Sequence, residues 1–75
     1  MIIEAGGKYY TTSQHTDEKM LEEKITEAHI KEAIEQGTAD MTAKGDDIYL
    51  LKITGRTIAV IIADDERLIT VYTVK

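Results

Sequence analysis

The chain has 75 residues, a formal net charge of −5, and neither cysteine nor proline. Disulfides and Cys-ligated zinc are excluded, and the acidic balance weighs against a stand-alone nucleic-acid binder, whose affinity comes largely from neutralising phosphates. A domain this short buries only about 60% of its unfolded surface, so pairing into a homodimer is the expected source of extra stability.

Residues 1–7 hold only Ile2 and Ile3 as strongly apolar side chains, too few for a signal-peptide core or a membrane span. A cytoplasmic location without membrane contact is therefore expected. Residues 1–12 read as an extended segment or strand, with the Tyr- and Thr-rich stretch 8–12 as its strand-like part. Ser13 can cap a helix that starts at Gln14 and runs to Glu23, with Met20 and Leu21 directed to the core. Thr26 is a second N-cap, followed by Ile30, Ala33 and Ile34 at helical spacing and by Gly37, expected as a left-handed C-terminal cap. Two helices thus occupy residues 13–37.

Residues 38–75 change to strand-like composition. A weak strand at 39–43 precedes three stronger ones at 47–54, 57–63 and 68–74, rich in Ile, Val, Leu, Thr and Tyr. Gly55-Arg56 reads as a two-residue turn, and residues 64–67 as a four-residue one. The expected fold is a single α+β domain over 1–75, with two N-terminal helices on one face of a four-stranded antiparallel meander.

With those turns, alternation sorts the faces. Tyr49, Leu51, Ile53, Ile58, Val60, Ile62, Ile69 and Val71 would lie under the helices. Leu50, Lys52, Thr54, Thr57, Ala59, Ile61, Thr70 and Tyr72 would form the open face. Lys52, Ala59 and Tyr72 would then share one cross-strand row, a shallow groove suited to a small ligand.

His15 and His29 stand on different helices without metal-ligand spacing, so neither a metal nor another cofactor is expected. His29 reads as a surface histidine, and His15 as a polar residue near the helix start that can also act as acid or base. The run Asp64-Asp65-Glu66 lacks calcium-loop spacing and reads as a solvated turn. Cleavage of a phosphodiester needs a base, an acid and donors for phosphate charge, and His15, Tyr72, Lys52 and Arg56 are the side chains available.

The stretch SQHTDEKMLEEKITEAHIKEAIEQG, followed by GDDIYLLKITGRTIAVIIADDERLITVYTV, resembles a family of small bacterial and archaeal domains. That family is grouped with the RelE-like toxins in the barnase, EndoU, colicin and RelE ribonuclease fold. The resemblance runs over residues 13–74: a helix-start histidine, a second helix ended by glycine, a Gly-Arg hairpin and a last strand ITVYTV. It implies a metal-independent RNA-cleaving toxin or a degenerate relative, with RNA or the ribosome as target and a cognate antitoxin as partner. His15 would take the family's histidine position, Arg56 its hairpin arginine, and Thr70 and Tyr72 its last-strand polar residues. Lys52 and Arg56 would hold phosphate. The family's arginines near positions 19 and 24 are here Lys19 and Lys24, which lack the bidentate fork that suits phosphate. The rival expectation is a non-catalytic protein-interaction domain that acts as a homodimer through a sheet edge or face.

Overall fold

The computed structural model describes residues 1–74. Eight elements follow in chain order: β1 (Ile2–Ala5), β2 (Lys8–Thr12), α1 (Gln14–Glu23), α2 (Glu27–Gln36), β3 (Thr38–Met41), β4 (Asp47–Ile53), β5 (Arg56–Ile62) and β6 (Arg67–Val74). Both helices start where their caps require. The Ser13 side chain accepts from the Thr16 N–H, and the Thr26 hydroxyl accepts from the His29 N–H. His29 completes a capping box, because its Nδ1 accepts from the Thr26 N–H at 3.1 Å.

The strands form one six-stranded sheet in the order β1-β2-β6-β5-β4-β3. The expected four-stranded antiparallel meander is overturned. The β1–β2 hairpin extends the sheet beyond β6, and the β2–β6 join is parallel, so the sheet is mixed. Gly6 and Gly7 make that hairpin possible: both have positive φ (58° and 81°), which a two-residue turn of mirror-image type needs. The α2 helix packs on edge strand β1 and also on β4 and β5. The sheet therefore curls around the helices, and its uncovered side is convex.

One hydrophobic core lies between the layers. Ile3, Ala5, Tyr10, Leu51, Ile58, Val60, Ile62, Leu68 and Val71 from the sheet meet Met20, Ile25, Ile30 and Ala33 from the helical segment, with Ile34, Tyr49 and Ile53 packed around them. Burial pushes the Tyr10 phenol above its ordinary range, and the neighbouring Tyr49, Glu66 and Asp47 push the same way. Thr16 is the buried polar side chain, and its hydroxyl donates to the Leu68 carbonyl at 3.0 Å. That bond ties α1 to the start of β6.

Five local expectations are corrected. The turn after β4 is Thr54-Gly55, because Ile53 pairs with Arg56. Pairing slides by two residues, so Lys52 faces Thr57, and Ala59 faces Leu50 on one side and Tyr72 on the other. An even slip leaves every side chain on its expected face. A bulge between Ile61 and Ile62 pairs Ile62 with Leu68, so Leu68 enters the core in place of Ile69. Gly37 is not left-handed (φ −75°). It is glycine because a Cβ there would collide with the carbonyl oxygens of Ala33 and Leu50. The left-handed cap belongs to Lys24, at φ 55°. Leu21, finally, is 81% exposed, on the outer side of α1.

Candidate functional site

The five polar residues singled out from sequence do not converge. Thr70 and Tyr72 point to the convex face, since their neighbour Val71 is fully buried under the helices. Lys52 shares that face but lies on β4, with β5 between it and β6, in the row of Thr57 and Val74. Its expected row with Ala59 and Tyr72 is therefore not formed. His15 is exposed in the first turn of α1, which belongs to the helical layer on the opposite side of the sheet. His15 and Tyr72 therefore lie on opposite sides of the sheet, an arrangement that does not favour proton transfer between them.

Arg56 is also on the helical side, and its guanidinium is already occupied. It donates to the Glu23 carbonyl, to the Lys24 carbonyl at 2.6 Å and to the Thr73 hydroxyl at 3.1 Å. These carbonyls are the orphan acceptors at the end of α1, where a cation also complements the helix dipole. The contact is completed from the other direction, because the Thr73 N–H donates to Glu23 Oε1 at 2.8 Å. Arg56 and Glu23 thus fasten the end of α1 to β5 and β6.

That bond has a pH signature. The Thr73 backbone N–H, with smaller help from the Thr73 hydroxyl, Lys19 and Arg56, holds the Glu23 carboxyl below the usual carboxylate range. A lowered folded-state value means that its contribution to stability is full above the unfolded-state value of about 4.3 and is lost as pH falls through the lower folded value. Glu23→Gln is expected to lower stability at neutral pH and to flatten its decline in acid. Urea unfolding of both proteins across the acid range checks this, and parallel curves would disprove it.

The feature that sequence reasoning missed is strand β1. It is one edge of the sheet. The Met1 carbonyl accepts from the Thr12 N–H at 2.9 Å, so Met1, Ile3 and Ala5 direct their backbone groups to β2. Alternation leaves the N–H and C=O of Ile2 and Glu4 pointing off the sheet. The opposite edge, β3, differs: the Asp40 carboxylate covers its Met41 N–H at 2.8 Å. Beside the start of β1 runs a cavity of about 420 Å³ lined by Met1, Met20, Leu21 and Ile25, with Asp17, Thr26 and Glu27 at its margin. Met1 (49% exposed) and Leu21 expose apolar surface at this groove, and Ile2 (65%) does so on the opposite side of the same strand. The signal for it was the Gly6-Gly7 pair between IIEA and KYYTT, a hairpin cue.

A second cavity of about 340 Å³, lined by Ser13, Arg67, Leu68 and Ile69, lies at the start of α1. Among the described residues, no three of His, Asp and Glu gather to hold a metal ion. No helix among them is long and apolar enough to cross a membrane.

No family model, no curated protein and no solved structure matches this chain.

Proposed function

We propose that this domain is a non-catalytic protein-binding module that takes up an extended segment of another chain along β1. The observation that carries this reading is the free edge of β1, with the Ile2 and Glu4 backbone groups unpaired beside an apolar groove. Strand addition at a sheet edge uses those two parts. Backbone hydrogen bonds supply affinity, and pockets for alternate side chains supply selectivity. The added strand would direct every second side chain toward Met1, Met20, Leu21 and Ile25.

Ile2→Pro tests the reading without altering charge. It removes one outward N–H, and proline is tolerated on an edge strand whose N–H faces solvent. Peptides selected on the domain from a random display library are expected to bind the variant about two- to tenfold more weakly, the worth of one lost hydrogen bond. The variant's thermal unfolding is expected to match that of the parent. Selected peptides that bind both proteins equally would sink the proposal.

A further inference from the structure

We infer that the segment accepted at β1 is apolar on the side facing the groove and basic on the other, a charge preference that rests on the strand-addition reading. The inference follows from the charges around the edge. Glu4 lies on β1, its side chain on the convex side opposite the buried Ile3 and Ala5. On the helical side, Asp17 and Glu27 stand at the groove margin. Glu35 reaches the hairpin turn, where its Oε2 accepts from the Gly6 N–H at 3.1 Å. Glu27, Lys31 and Glu35 follow one another at i, i+4 along α2, so they form one stripe beside β1.

Four carboxylates therefore stand around the edge, against Lys31 in the α2 stripe, Lys8 across from Ala5 and the Met1 amino group at the strand's start. Among the described residues, ion pairs are confined to Lys8–Glu66 and Arg67–Asp65, so none of the four carboxylates is in an ion pair. An incoming strand with period-two patterning answers the groove and Glu4 directly, while Asp17, Glu27 and Glu35, on the helical side with the groove, add a longer-range attraction for a basic chain. Its apolar side chains enter the groove, and its alternate lysines or arginines pass Glu4 on the convex side. A second copy of this chain fits less well. Its β1 would bring the same four carboxylates against these four, on a body of net charge −5.

The test uses the full chain and two short synthetic peptides, one alternating valine with lysine and one alternating valine with glutamate. The lysine peptide is expected to bind and to shift the amide resonances of Ile2, Glu4 and Leu21. Its affinity should fall at least about tenfold between roughly 0.01 M salt, where the screening length is about 30 Å, and 1 M, where it is about 3 Å. Ile2→Pro should weaken it, and Glu4→Gln with Glu27→Gln should weaken it further.

Equal binding of both peptides, each weakened by Ile2→Pro, would overturn the charge preference and leave the edge reading standing. Lysine-peptide binding that Ile2→Pro does not change would overturn both, because the attraction would then be charge alone. Binding of neither peptide would overturn the inference. So would sedimentation showing a dimer of the free chain that Ile2→Pro dissociates, because the occupant would then be a second copy.

Discussion

Val60→Asp is expected to abolish the folded state. Val60 is fully buried, paired with Tyr49 on β4 and with Val71 on β6, at the centre of the inner sheet face. An aspartate there must leave a carboxylate without partners or take up a proton, and in both cases a polar group is buried unsatisfied at a cost of several kcal/mol. At about 0.05–0.15 kcal/mol per residue, a chain of this length has roughly 4–11 kcal/mol of stability to lose. Loss of amide dispersion in the NMR spectrum and of the cooperative melt is the expected result. Lys52→Asp, on the exposed side of β4, is the control, with a change within about 0.5 kcal/mol. A dispersed spectrum for Val60→Asp would disprove the assignment of the inner face.

Arg56→Ala is expected to destabilise the domain by about 1–3 kcal/mol, the usual cost of leaving partly buried acceptors without a donor. The carbonyls of Glu23 and Lys24 and the Thr73 hydroxyl all lose the same partner. Arg56→Lys should recover only part of this, because an ammonium cannot span the acceptors as the planar fork does. Urea unfolding measures the difference. A phosphate-holding role makes the opposite prediction: unchanged stability, with loss of binding to RNA. That outcome would return Arg56 to the function that its hairpin position suggested.

The parts legible in the sequence were the local ones. Ser13 and Thr26 mark both helix starts because a cap acts over three residues. The face assignment for β4 and β5 was correct even though the turn was misplaced, since a two-residue slip preserves alternation. What escaped depended on distant pairing. β1 is four residues long and contains Glu4, so composition alone does not mark it as a strand. The parallel join of β2 to β6 links Thr11 with Arg67, and no local signal encodes it. Arg56 resembled a solvent-facing turn residue or a phosphate ligand. Its actual partners lie 32 and 33 residues away, at the end of α1. Leu21 looked like core on helical spacing, yet it borders the groove because α1 turns Met20 rather than Leu21 toward the sheet.

The unequal edges of the sheet bear on stoichiometry. A sheet with two receptive edges can add copies or partners at both ends, and such head-to-tail growth has no natural stop. Here the Asp40 carboxylate occupies an outward donor of β3, while β1 remains unguarded. On the strand-addition reading, this leaves β3 with fewer outward groups to offer than β1 and favours addition at one end of the sheet. On the same reading, Asp40→Ala frees the Met41 N–H and is expected to make β3 a second docking edge, so that head-to-tail growth becomes open to the variant.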